Sequence, residues 1–133
     1  MRRTALLVTT VLALTLLSSA VAYAHHSYAA TYDTAKEVKL EGKLVQFNFK
    51  NPHSYVTIQT KDPKGAIQRW SVEWAGSSQL NTSGIKAETL KVGDEITIVG
   101  RPSRVPGEFR CLMVNLKRPS DGFAWGTRGE VVE

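Results

Sequence analysis

Five short runs of alternating apolar and polar residues occupy most of the chain from Glu37 to Leu116. Period-2 alternation sends successive side chains to opposite faces of a strand, so each run can bury one face and leave the other wet. "EVKLEGKLVQFNF" keeps Val38, Leu40, Gly42 and Leu44 in one phase, then shifts to Phe47 and Phe49. That pattern predicts a long first strand with a bulge or bend near Val45, and Gly42 is a candidate for marking the bend. "SYVTIQT" and "AIQRWSVEW" are the second and third strands, joined by "KDPKG", where Pro63 fixes φ and Gly65 supplies a permissive backbone. The third run sets Trp70, Val72 and Trp74 on one face and Arg69, Ser71 and Glu73 on the other. "DEITIVGRP" and "EFRCLMVNL" complete the set.

The alternation stops between Gly76 and Val92. "SSQLNTSGIKAETLKVGD" predicts a short helix near Ser78 to Asn81, a stop at Gly84 and another turn around Ala87 to Leu90. Five strands with a helical link between the third and fourth is the order of an OB-fold, a small, partly open barrel. A β-sandwich shares the short-strand pattern, but the order and the bent first strand favour the barrel. The expected class is therefore all-β, with an OB-fold-like five-stranded barrel over residues 37–118. An N-terminal arm over 25–36 precedes it and a loose tail over 119–133 follows.

Residues 1–24 combine a basic start at Arg2 and Arg3, an apolar run from Ala5 to Leu17 and the small-residue stretch "SSAVAYA". These are the three zones of a secretory signal peptide, and the run is shorter than the roughly 20 apolar residues of a membrane helix. The expectation is a periplasmic or secreted protein without stable membrane insertion after cleavage. What remains suffices for one compact domain. The formal charge of +5 includes the two signal arginines, and the other Lys and Arg are scattered from Lys36 to Arg128 without a basic run. Export argues against nucleic acid and this charge adds little, so nucleic acid is left out of the expected partners. Cys111 is the only cysteine, so no internal disulfide can form, and its strand context predicts a buried structural thiol.

All three histidines fall in two short segments, His25 and His26 in "AHHSY" and His53 in "NPH". Cleavage after Ala24 makes His25 the first residue, so one residue offers an α-amino and a ring nitrogen. A second imidazole would complete a three-nitrogen site that resembles the histidine brace of secreted copper proteins. Cleavage after Ala22 instead puts His25 third, resembling amino-terminal Cu(II)/Ni(II) motifs. Both registers suit Cu(II), which amine and imidazole nitrogens bind more strongly than the other common divalent ions. Against this stands the plainer reading, in which His25 and His26 are exposed linker residues and His53 orients a turn.

With "HHSY" at residues 25–28 and "NPH" at residues 51–53, the chain resembles a family of small exported bacterial proteins of unknown function. The likeness continues through Trp70 to Glu73 and "LKVGDEITIVGRP", and Tyr28 stands where phenylalanine is expected. The resemblance implies export, a compact β domain and an association of the two histidine segments, and it implies no activity.

Two function classes follow. In the first, His25, His26 and His53 bind a metal, with copper as the expected cofactor and a periplasmic protein as a further partner. In the second, a metal-free OB module binds a small molecule, glycan or protein through Tyr55, Trp70, Glu73 and Trp74, with Glu73 pointing into a groove or to solvent. The alternation of the tryptophans with polar residues fits a core as well as a groove. Neither a Ser/His/Asp nor a Cys/His arrangement is legible, and an enzyme is not expected.

Overall fold

The computed structural model describes residues 28–126. The segment expected to be a signal peptide, His25 and His26 therefore lie outside the described residues, as does the end of the tail. The chain divides into two compact units, Met1–Ala30 and Thr31–Glu133. A one-turn helix, α1 (Tyr28–Thr31), stands at the start of the described chain.

The second unit is a closed five-stranded barrel. β1 (Val38–Asn48) pairs antiparallel with β4 (Glu95–Pro102) through Val38–Lys43, and with β2 (Tyr55–Lys61) from Lys43 onward. One long strand thus serves both halves of the ring. β2 pairs along its full length with β3 (Ile67–Glu73). β5 (Arg110–Arg118) lies antiparallel to β4 and parallel to the end of β3, where Ser71, Val72 and Glu73 stand opposite Arg110, Cys111 and Leu112. This three-residue parallel seam closes the ring in the order β1-β2-β3-β5-β4, the expected OB-like arrangement. The link between β3 and β4 carries the expected helix, α2 (Ser77–Thr82).

The register of β1 on β2 shifts between Leu44 and Gln46, a bulge at the phase change read from the sequence. Gly42 has a different task. A Cβ there would stand 2.2 Å from the carbonyl oxygen of Gln59, so glycine is what lets β1 cross this close to β2. Inward positions fill the barrel with Leu40, Leu44, Val56, Ile58, Val72, Ile96, Ile98 and Leu116, all buried. Cys111 joins them, and burial pushes its thiol up to about 12, so it is a packing residue and not a reactive one.

Two boundaries differ from expectation. Residues Phe123–Gly126 form a sixth strand, β6, on the outer edge of β5, where the sequence predicts a loose tail. Trp125 of that strand packs its ring 4.9 Å from Trp74. At the other end, the chain joins the barrel before residue 37. Tyr32 bridges to Ser103 and is 1% exposed, Asp33 N–H donates to the Pro102 carbonyl at 2.8 Å, and Arg104 N–H donates to the Thr31 carbonyl at 2.9 Å. Neither end has the sustained alternation that marks a strand in sequence, because each is held by contacts to residues far along the chain.

Candidate functional site

The "NPH" segment joins β1 to β2, and backbone and side-chain bonds fix it on both sides of His53. Asn51 Oδ1 accepts from Ser78 N–H at 3.1 Å, and Asn51 Nδ2 donates to Ser78 Oγ at 2.7 Å. Ser77 N–H donates to the Lys50 carbonyl at 3.1 Å, Ser54 N–H to the Ala75 carbonyl at 3.1 Å, and Trp74 N–H to the Ser54 carbonyl at 2.8 Å. Gly76 makes this approach possible, since a Cβ there would lie 2.5 Å from the Pro52 carbonyl oxygen. The residues before and after His53 are therefore tied to the end of β3 and the start of α2, and His53 has little freedom of its own.

Its ring meets Glu73, the last residue of β3. Nδ1 of His53 pairs with Oε1 of Glu73, and the other carboxylate oxygen, Oε2, accepts from the Tyr32 hydroxyl. Arg110, the first residue of β5, donates from Nε to the Tyr32 hydroxyl oxygen at 3.1 Å. Its guanidinium lies 5.5 Å over the Tyr32 ring and has Nη2 4.0 Å from Glu73 Oε2. Strand alternation places Glu73 and Arg110 on the outward side of the β3–β5 seam, the inward positions being Val72 and Cys111, both 0% exposed. Glu73 is nevertheless buried, with 6% exposure, because Tyr32 and His53 roof it.

The electrostatics follow from that roof. Burial pushes the Tyr32 hydroxyl far above its ordinary pKa, and the hydrogen bond to Glu73 pushes it further, while Arg110 opposes both. The same bond to Tyr32 raises the Arg110 guanidinium, against its own desolvation. Tyr55, opposite Glu73 in the β2–β3 register, is raised by burial and by the Glu73 charge. Tyr32 is thus a neutral phenol at any ordinary pH, able to donate one hydrogen and to accept another.

The structure sorts the expected site residues. His53 and Glu73 come together in a direct contact that neither motif announced, with Tyr55 beside them. Glu73 is on the outer face as the alternation predicts, but it is covered there and faces neither an open groove nor solvent. Trp74 is 1% exposed, packed on Trp125 and on Phe47 at 6.0 Å, so it belongs to the core and cannot be a ligand contact. Trp70 stands apart, half-buried, its ring 5.4 Å from Phe109. It lines a surface cavity of about 370 Å³ with Lys39, Thr60, Lys61, Asp62 and Gln68. Tyr32 and Arg110 have no counterpart among the expected residues, and only the fold brings them to Glu73. Among the described residues, no cluster of three or more His, Cys, Asp and Glu could hold a metal.

In metal–histidine–carboxylate units a carboxylate holds the imidazole nitrogen that does not face the metal, fixing ring orientation and raising donor strength. The same unit serves general bases.

No curated protein matches the chain. Two crystal structures of Rim1, a mitochondrial single-stranded DNA binding protein of S. cerevisiae, are similar in fold. One has a TM-score of 0.48 and 11% identity, with 62% of this chain and 91% of that chain covered. The other has a TM-score of 0.47 and 9% identity, with 62% and 92% covered. With single-stranded DNA binding proteins as structural neighbours, the exclusion of nucleic acid from the partners is withdrawn. It rested on the expected export and on basic residues being scattered along the sequence, and order along a chain does not decide which residues share a face of a barrel. The family model described as "Family of unknown function (DUF6152)" matches residues 13–110, from within the N-terminal apolar run through the first four barrel strands to the start of β5. The chain belongs to that family.

Proposed function

We propose that this protein is an exported β-barrel domain that binds Cu(II), with His53 as the ligand supplied by the barrel and His25 and His26 as ligands supplied by the N-terminal segment. The proposed role is binding and not catalysis. The observation that supports it best is the contact between His53 Nδ1 and the buried Glu73 carboxylate, the arrangement that metal-bound histidines use to fix their orientation. Export is supported by the composition of residues 1–24, and copper by the nitrogen-only donor set.

Titration of the processed protein with Cu(II) and Zn(II) tests the reading. The expected result is tighter Cu(II) than Zn(II) binding, weakened by His53→Ala, by His25→Ala and by one extra residue before His25. Affinity no better than that of a free peptide carrying residues 25–36 would remove the copper function. The second reading, a metal-free binding module, would then rest on the Trp70-lined cavity between β1 and the β2–β3 hairpin.

A further inference from the structure

β1 changes partners along its length, and the change opens a gap in the barrel wall. Up to Lys43 it pairs with β4, and from Lys43 onward it pairs with β2. β2 runs past that junction to Lys61 with β3 on its other side, so residues 39–41 of β1 and residues 60–62 of the hairpin stand side by side with no ladder between them. The surface cavity of about 370 Å³ occupies this gap, a volume within the range of small-ligand sites. It lies at the end of β2 away from the His53 loop, about 20 Å from Tyr55 along the strand, and none of its lining residues belongs to the Glu73 site.

Three kinds of group line it. Among the described residues of the lining Trp70 is the one aromatic, its ring braced by Phe109 at 5.4 Å. Thr60 and Gln68 stand opposite each other in the β2–β3 register, one step beyond Ile58 and Trp70 on the same face of the hairpin. Thr60 is 8% exposed, yet neither its hydroxyl nor the Gln68 carboxamide is hydrogen-bonded to another described residue. A buried hydroxyl without a partner is costly, and the side from which one can come is the cavity. The charged residues cancel. Lys39 is paired with Glu41 at 2.9 Å, and Lys61 is matched by Asp62, whose Oδ1 accepts from the Lys64 and Ala66 N–H groups in the turn.

We propose that this cavity binds a neutral oligosaccharide, with one pyranose ring packed on Trp70 and its hydroxyls bonded to Thr60 and Gln68. A pyranose with equatorial hydroxyls has apolar C–H faces and a rim of groups that both donate and accept. A threonine hydroxyl and a carboxamide also do both, so they match that rim where a lone ammonium or carboxylate would not. A nucleic acid strand needs uncompensated cations for its phosphates, and this lining has no surplus of them. An apolar peptide side chain would cover Trp70 and leave the two polar groups unpaired. The inference narrows the metal-free binding reading to one ligand class and holds whether or not copper binds.

1H–15N spectra of the full chain, titrated with cellohexaose and with the hexamer of N-acetylglucosamine, test the proposal. The expected result is saturable shifts, at micromolar to millimolar concentrations of at least one hexamer, in the Trp70 indole N–H and the Gln68 side-chain NH2, with the Trp74 and Trp125 indoles unmoved. Thr60→Val, which keeps the side chain's shape and removes its hydroxyl, should weaken binding about 2- to 10-fold, and Trp70→Leu should weaken it at least about tenfold. If Trp70→Leu does not fold, the position of the shifts and Thr60→Val still decide. No saturable shift with either hexamer, shifts that leave out Trp70, or Thr60→Val binding as tightly as the wild type overturns the inference. An oligothymidylate that moves the same signals while neither hexamer does overturns it too, and makes the cavity a nucleic-acid site. Cu(II) titration of the same samples separates the two proposals. Oligosaccharide binding without Cu(II) binding leaves this inference standing and removes the copper function, and Cu(II) binding without an oligosaccharide response does the reverse.

Discussion

Tyr32 is a full-sized aromatic side chain whose exposure is 1%, and its hydroxyl is both acceptor for Arg110 and donor to Glu73. Removing only that oxygen leaves the ring's burial intact but takes one partner each from Glu73 Oε2 and Arg110 Nε. A buried charged group that loses a partner costs about 1–3 kcal/mol, and Tyr32→Phe is expected to lose that much in urea unfolding with an unchanged slope. Tyr32→Ala removes the ring too and opens a cavity, for which truncation of a large aromatic costs about 3–5 kcal/mol. If Tyr32→Phe is as stable as the wild type, the hydroxyl is not a working member of the network. Gly42 poses the opposite problem. A methyl group there would sit 2.2 Å from the Gln59 carbonyl oxygen, and neither backbone can retreat without breaking a ladder. Gly42→Ala should therefore destabilise by at least the 1–3 kcal/mol usual for overpacking, checked by the same unfolding measurement.

At the scale of elements, the six-residue helix α2 lacks a side-chain cap of its own. Its N-cap position is Gly76, and the oxygen that an N-cap residue would supply comes instead from Asn51, on the loop between β1 and β2. Helix start and histidine loop thus hold each other. Asn51→Ala should cost about 1 kcal/mol, within the range for lost caps, and should speed hydrogen exchange at the Ser78 amide. Unchanged exchange there would show that the loop is held by its backbone bonds alone. This reciprocity also marks where sequence reading stops. The five strands, the bulge near Val45, the helix around Ser78–Asn81 and the turn at "KDPKG" were legible because each follows from local period or turn chemistry. The exposure of Glu73 was misjudged for a definite reason. Alternation correctly sets it on the outer face of β3, but no local pattern shows that Tyr32, 41 residues earlier, folds over it. Trp74 was legible as inward and Trp125 was not, since β6 is four residues long and gains its place by pairing with β5. His53 was singled out by composition alone, and its carboxylate partner came only with the fold.

Across the whole molecule, Arg118 ties together two stretches that lie apart in sequence. At the end of β5 its guanidinium donates to the Thr89 carbonyl and to Asp94 Oδ2, each at 2.7 Å, and to Asp121 Oδ2 at 2.8 Å. The link before β4, through Thr89 and Asp94, and the turn between β5 and β6, through Asp121, are both held by one cation whose side chain is 13% exposed. An isolated surface pair contributes little, but here the guanidinium is largely shielded and the partners are shared. Burial acts to raise the Asp94 carboxyl, yet the Lys91 backbone N–H and Arg118 together hold it below its ordinary value of 3.8. For Asp121, the Arg118 hydrogen bond is the main lowering influence. A carboxyl whose folded pKa is depressed binds its proton more readily when the chain is unfolded. Its contribution to stability is therefore present above the unfolded pKa and is lost as pH falls through the folded one. The barrel should accordingly hold its stability down to about pH 4 and lose it below. Asp94→Asn, which cannot ionise, should be less stable than the wild type at neutral pH and should show a shallower fall below pH 4, so that the two curves converge in acid. Parallel curves would mean that Asp94 titrates alike in both states and that Arg118 holds the barrel's end by its bonds to Thr89 and Asp121 only.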